Sequence, residues 1–385
     1  MRVGTPDFKG ERLKLACDIR GIGISGLSGI IDVSKQIVSQ YMLGEKTPSR
    51  EVLDRIADKL NFPKEFFLKE SLPQSDNPIF YRSMTRATQA QRKSSEGLYQ
   101  ILKEIYLFLE ENIEPMPLLF PDFNIDDPYK LKTSDIDSFA NEVRKYWNLN
   151  YGPISNVTQL LETRGAIMTG FQMDTEALDS FSQWDDMTGR PFIILNFEHS
   201  ETKGARMRFN VSHELGHLVL HKRVDKNDLS NPQKFAQLEE QAHRFASAFL
   251  LPESIFSSEV KWITLDHFAD LKMRWKVSIQ AIIMRCEQLG LLYTEQEKRN
   301  LFINISRRGW RKEEPYDNKI EVEKPSFLYK SFKLLMDELF SIDELLYRLP
   351  YSPTAIQEIA CLPKNMLQEN EVIDIAKLRR KKNIE

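Results

Sequence analysis

Apolar residues recur at helical spacing through most of this chain, and only two short runs have strand character. In DVSKQIVSQYMLGEKTPSREVLDRIADKLNF (32–62), Ile37, Val38 and Tyr41 share one face of a helix that Ser34 caps and Gly44 stops. Val52, Leu53, Ile56, Ala57 and Leu60 form the inner face of the next helix. Residues 71–95 carry no such pattern and read as a linker. Leu98, Ile101, Leu102, Ile105 and Leu109 then predict an amphipathic helix, closed by Pro115, Pro117, Pro121 and Pro128. A second unit opens with a cap predicted at Ser134 and with Ile136, Phe139, Val143 and Trp147 on one face. NVTQLLETRG is a short helix stopped by Gly165, and AIMTGFQ and RPFIILN (190–196) are strands. A helix over about residues 203–222 follows, then another in LEEQAHRFASAFLLP that Pro252 ends. Residues 265–290 have the rhythm helix, turn, helix, with Ser278 as cap and Gly290 as stop, and 331–380 are again helical in pattern.

The expected architecture is multidomain and mainly α. An all-α domain spans 1–70, a linker with an amphipathic helix spans 71–133, and an α+β domain spans 134–260. A helical extension over 261–315 and a helical C-terminal region over 316–385 complete it. The length, 385 residues, suits two or three domains. With 41% apolar and 28% charged residues, the composition is that of a globular protein. A net charge of -3 gives no global field towards nucleic acid or membrane. No apolar run is long enough to span a bilayer, and the charged N-terminus does not read as a signal peptide. Cys17, Cys286 and Cys361 are odd in number and far apart, which points to reduced thiols and a cytoplasmic location. The sequons NVT, NVS and NIS are then chance matches.

The chemistry is concentrated in FNVSHELGHLVLH (209–221). His213 and His217 are four apart, so a helix presents both on one face, where two imidazoles can grip one tetrahedral zinc ion. Glu214 is displaced around the helix and can reach a water on the metal without being a ligand. Zinc lowers the pKa of such a water to about 7, and a nearby carboxylate takes its proton and passes it to the leaving amine. The same stretch also fits an ordinary amphipathic helix, because Val211, Leu215, Leu218 and Val219 pack with or without metal.

The third ligand therefore decides. QLEEQAHRFASAFLLP offers Glu239 and Glu240 on a second helix. Glu239 is preferred because His243, four residues on, lies beside it and can orient it; Glu240 is the alternative. His221 shares the stripe of 213 and 217, but eight residues along a helix is a rise of about 12 Å, too far for one metal. His199 and His267 have no partner pattern and read as ordinary surface or core histidines.

With these residues in place, RPFIILN…RMRFNVSHELGHLVLH…LEEQAHRFASAFLLPESIF resembles the ImmA/IrrE family of bacterial metallo-endopeptidases. NEVRKYWNL, GPISNVTQLLETRGAIMTGF and DSFSQW upstream, with LKMRWKVSIQAIIMRCEQLGLL and SRRGWRKEEP downstream, extend the resemblance over most of residues 135–315. It implies a zincin-like domain, zinc bound by His213, His217 and Glu239, and Glu214 as general base. One position departs: the family usually has Asn four residues after the ligand Glu, and here it is His243, which can hydrogen-bond a ligand or bind metal itself. The strand 190–196 is expected at the edge of the cleft, where an extended peptide can pair by β-augmentation.

Residues 10–68 resemble the XRE-type helix-turn-helix family. The resemblance implies that the helix from Ser34 lies in the major groove, with Lys35, Gln36, Ser39 and Gln40 facing bases and phosphates, and that two half-sites favour a homodimer. Two features depart from it. The preceding GIGISGLSGIID is glycine-rich, and residues 1–70 are close to neutral, with twelve basic against ten acidic residues. GIGISG also matches a dinucleotide fingerprint, but it follows a helical stretch where a strand is required. The basic run 82–93 reads as a solvated face.

Two functions fit. One is a regulatory zinc endopeptidase joined to a reader of double-stranded operator DNA, cutting a repressor-like or antitoxin-like protein. The other is a transcriptional regulator or antitoxin whose peptidase-like domain is a sensor or scaffold. A scaffold has no need of Glu214, which favours the first.

Overall fold

The computed structural model describes residues 4–73, 75–81, 88–171, 179–197 and 204–367. The chain divides into two compact units: Met1–Ser71 with Lys330–Glu385, and Leu72–Tyr329. The described residues form sixteen helices and one mixed sheet of four strands, a mainly helical architecture. None of these helices is long and apolar enough to cross a membrane.

In the first unit, α1 (Gly10–Arg20), α2 (Ile24–Ile31), α3 (Lys35–Met42) and α4 (Arg50–Leu60) surround Leu13, Leu27, Ile31, Val38, Ile56 and Leu60, all fully buried. Ser34 Oγ accepts from the Ile37 amide and Ser49 Oγ from the Val52 amide, so both expected starts are capped. Asp32 makes the turn between α2 and α3 in the left-handed region, at φ 54°. Arg12 is buried with its guanidinium 4.0 Å over the Phe66 ring and its Nε bonded to the Phe66 carbonyl.

The second unit holds the sheet. Its elements are β1 (Phe80–Tyr81), α5 (Gln89–Asn112), α6 (Thr133–Tyr146), α7 (Val157–Thr163), β2 (Ile167–Phe171), β3 (Ser180–Trp184), β4 (Pro191–Asn196), α8 (Gly204–Leu220), α9 (Pro232–Leu250), α10 (Glu253–Glu259), α11 (Leu265–Trp275), α12 (Ile279–Gln288) and α13 (Glu295–Arg307). The last described helices are α14 (Phe327–Glu338), α15 (Ile342–Arg348) and α16 (Pro353–Ile359). Strand order is β1-β3-β4-β2, with β2 and β4 parallel and the other pairs antiparallel.

Side chains directly opposite one another share a face of a sheet. One face carries Phe181, Ile194 and Phe192; Tyr99 and Tyr106 of α5 meet Phe192 edge-on at 5.4 and 5.7 Å. The other face carries Ser180, Ser182, Ile193, Leu195 and Trp184, and α8 lies against it. α11 and α12 belong to the same apolar core through Phe268, Leu271, Trp275, Ile282, Ile283 and Cys286.

A late segment ties this unit together. Glu314 accepts from Lys272 and from the amides of Ile279 and Gln280, at the start of α12. Glu323 pairs with the buried Arg208 of α8 and accepts from the amides of Val157 and Thr158, at the start of α7. Each carboxylate satisfies amides that a helix leaves unpaired at its first turn.

The structure changes three readings. The stretch read as a linker contains a strand, Phe80–Tyr81, and the start of α5, which Thr88 and Gln91 cap reciprocally. The cap of α6 is Lys132, not Ser134, and the helix begins at Thr133, because the Asp135 carboxylate accepts from the Lys132 amide one turn back. β4 is not the cleft edge: both its edges are paired, to β3 and to β2, and the outer strands of the sheet are β1 and β2. Residues 82–87 of the basic run 82–93, the C-terminal residues after 367, and His199 lie outside the described residues.

Candidate metal centre

α8 is buried along almost its whole length, including His213, Glu214, His217 and Arg208. Polar groups so placed must find partners inside the protein. α9 supplies several of them and comes close because position 216 is glycine: a Cβ there would lie 3.1 Å from Ala242 Cα and 3.2 Å from its carbonyl oxygen. α9 starts where Asn231 Oδ1 accepts from the Gln233 and Lys234 amides, ahead of Pro232. It turns Leu238, Ala242 and Phe245 towards the interior, which brings Glu239 over the histidines and leaves Glu240 exposed.

His213 Nε2 and His217 Nε2 are 3.1 Å apart. Glu239 reaches both, with Oε1 3.0 Å from His217 Nε2 and Oε2 3.5 Å from His213 Nε2. A tetrahedral zinc ion with bonds near 2.0–2.1 Å spaces its ligand atoms about 3.3 Å apart. The three donors are therefore spaced as one zinc ion requires, and their chemistry, two imidazoles and a carboxylate, is that of a hydrolytic zinc site.

The hydrogen-bond partner of His217 Nδ1 is itself fixed by its neighbours. The Pro128 carbonyl can only accept, so Gln241 Nε2 donates to it at 2.7 Å. Gln241 Oε1 then accepts from His221 Nε2 at 2.9 Å. Burial lowers the pKa of His221 to about 3, so the ring is neutral and its Nδ1 carries a lone pair. That nitrogen lies 2.9 Å from His217 Nδ1 and accepts its proton. With Nδ1 engaged by His221, Nε2 is the nitrogen of His217 that faces the cluster and would meet a metal.

Burial also lowers the pKa of His213 well below the ordinary value. Its Nδ1 has no hydrogen-bond partner among the described residues, and the ring is packed between those of His217 and His243, at 4.7 and 4.4 Å. Burial alone would push the Glu239 carboxyl up, but its contacts with His213 and His217 outweigh that and hold it low.

Glu214 points to β3. Its Oε1 accepts from Ser180 Oγ and its Oε2 from Ser182 Oγ, both at 2.6 Å. Burial raises its pKa, against the pull of His217 and the two serines. A carboxylate raised in this way is a stronger proton acceptor at neutral pH than a solvated one.

His243 Nδ1 donates to the Glu239 carbonyl at 2.7 Å, which leaves Nε2 as the lone-pair nitrogen. His243 also offers a ligand atom within 4.8 Å of those of His213 and Glu239. His267 is used locally, against the backbone at Glu259 and Lys261. In the first unit, Ser34, Lys35 and Gln36 are exposed, and Ser39 and Gln40 are half-buried.

Four residues around the cluster escaped the reading of the sequence: Ser180, Ser182, Gln241 and Phe80. The alternation in SFSQW was the available signal for the serines. Phe80 stacks on His217 with ring centroids 4.6 Å apart, and nothing near it in sequence announces that contact.

No curated protein matches the sequence. Residues 166–287 match the family model described as Peptidase_M78, IrrE N-terminal-like domain. The stretch from β2 to α12, which holds the whole histidine–glutamate cluster, is thus similar to the IrrE N-terminal-like peptidase domain.

Proposed function

We propose that the second unit is a zinc-dependent endopeptidase. The observation that carries this reading is the convergence of His213, His217 and Glu239 within 3.0–3.5 Å, with buried Glu214 one residue from the first histidine. His213, His217 and Glu239 would hold the ion, and His243 would steady Glu239 or add a fourth donor. When bound, zinc acts as a Lewis acid on water and on a peptide carbonyl. Glu214 takes a proton from the attacking water and delivers it to the departing amine nitrogen. Ser180 and Ser182 hold both oxygens of Glu214. The chain His217–His221–Gln241 fixes the imidazole that faces the ion.

The substrate in this reading is a protein, of the repressor or antitoxin kind, in the cytoplasm. The first unit, as a helix-turn-helix dimer, would bring the peptidase to double-stranded operator DNA through Ser34, Lys35, Gln36, Ser39 and Gln40. The test is elemental analysis of the purified chain beside His213→Ala and Glu239→Gln. About one zinc per chain, lost in both variants, is expected for a site of this type. Zinc retained in Glu239→Gln would move the third ligand elsewhere, and a parent that takes up none would remove the enzyme.

A second reading, a sensor or binding scaffold, has one observation in its favour: His213, Glu214 and His217 have no solvent exposure. Glu214→Gln separates the two, because partner cleavage ends in the first reading and regulation continues in the second.

A further inference from the structure

We propose that residues 77–81 occupy the peptide groove of this site as an extended substrate would, so that the chain carries its own competitor. The preferred substrate is then an extended peptide with an aromatic side chain where Phe80 sits. This rests on the peptidase reading above.

Without β1, β3 would be the outer strand on this side of the sheet, and its edge is a place where an extended peptide can add by main-chain pairing. That edge is taken by β1, antiparallel, with Phe80 opposite Ser182 and Tyr81 opposite Phe181. The register places Phe80 on the same face as Ser182, whose hydroxyl holds Glu214. The occupant therefore lies beside the proton acceptor as well as beside the metal ligands.

The Phe80 ring lies flat on His217, at 12° between planes, and 5.8 Å from His221. It packs with Val224, Leu229, Phe235 and Leu238 in a small apolar cluster separate from the main core. A strand that only completed a sheet would be expected to add its side chain to that main core. This one packs beside the ligands instead.

Polar anchors add to the apolar burial of Phe80 and Tyr81. Gln183 Nε2 donates to the Asn77 carbonyl, and Asn77 Nδ2 donates to the Trp184 carbonyl and to Asp186 Oδ1. Pro78 has no amide to give to a ladder, and among the described residues two of β1 pair, against five in β2–β4. In this proposal a longer peptide that repeats the pattern displaces the strand. While it stays, no substrate side chain can reach the place over His217.

The test uses the full-length chain and a fluorescently labelled peptide of residues 75–81, SDNPIFY, with a control in which Ala replaces Phe. Anisotropy is measured on the parent, on Phe80→Ala and on Asn77→Ala, each checked for its helical circular dichroism. Vacating an aromatic pocket should tighten peptide binding by about tenfold or more in Phe80→Ala, with a smaller gain in Asn77→Ala and none for the control peptide. Removal of zinc by a chelator should quicken in the same order. Folded variants that bind the peptide no better than the parent, and that release zinc at its rate, overturn the proposal. If Phe80→Ala does not fold, Asn77→Ala decides by the same two readouts. Peptide binding needs no metal, so a chain that takes up no zinc but gains peptide binding loses the peptidase and keeps the groove. A chain that binds zinc without that gain loses only the groove.

Discussion

α3 and α8 both present polar side chains at helical spacing, and they dispose of them differently. In α3, Val38 and Tyr41 are buried while Ser34, Lys35 and Gln36 at its start face solvent. In α8, His213, Glu214 and His217 are fully buried, and their partners come from β3, α9 and His221. Polar groups on α3 are available to something outside the protein. Those on α8 are fixed by the interior, where a polar atom without a partner costs on the order of 1–3 kcal/mol. A surface of the first kind can change residue by residue, whereas an arrangement of the second kind fails as a set.

The largest effect that would test this difference is on turnover. Glu214→Gln is expected to lower peptide hydrolysis by about 10²–10⁴-fold, the usual contribution of a positioned proton acceptor, while zinc per chain stays at the parental level. Activity that survives in this variant would remove Glu214 from the chemistry.

The next effect is on stability against pH. His213 and His221 are held neutral by burial, below the ordinary value of 6.5. The unfolded chain binds protons there that the folded one does not, so stability is full above 6.5 and falls as pH drops below it. For His221 the loss continues to about pH 3. Each such histidine weakens the metal-free fold by about 1.4 kcal/mol per pH unit in that window. Urea unfolding of the chelated chain between pH 7 and pH 5 measures this slope, and a flat profile would mean that the histidines are not buried in solution.

Gly216→Ala comes third. The added methyl meets the α9 backbone at Ala242 and should destabilise by about 1–3 kcal/mol and weaken zinc binding, because Glu239 rides on α9. Unchanged thermal unfolding and zinc affinity would show that the helices have room to spare. The smallest effect belongs to α3. Lys35→Ala and Gln36→Ala should each change stability by no more than about 0.5 kcal/mol, since both side chains are exposed. If this helix reads DNA, the same variants lower operator affinity in an electrophoretic shift while unfolding stays the same.

The contrast also explains what the sequence could disclose. α8 and α9 are legible because a helix writes its faces locally: His213 and His217 at i, i+4, and Leu238 and Ala242 bracketing Glu239 on the inner face. α3 is legible for the same reason, through Ser34 and Val38. β1 is too short for any period to show, and its assignment depends on a partner a hundred residues away. The clamp on Glu214 is hidden for that reason too, because Ser180 and Ser182 look like loop residues until β3 is paired. β4 was expected at the cleft edge because it is the apolar strand before α8. An unbroken apolar run instead marks a strand buried in the middle of a sheet.

Arg208 gives the second unit a boundary set by charge balance. It lies on α8 five residues before His213, fully buried, and its ion-pair partner is Glu323. A fragment that stopped at 315, where the family resemblance fades, would keep every residue of the metal cluster and discard that carboxylate. An uncompensated guanidinium would then sit in the helix that carries both histidines, a defect of roughly 3–5 kcal/mol. The amides of Val157 and Thr158 would lose their acceptor at the same time. The functional module therefore ends where its last internal charge is neutralised, beyond its last recognisable motif.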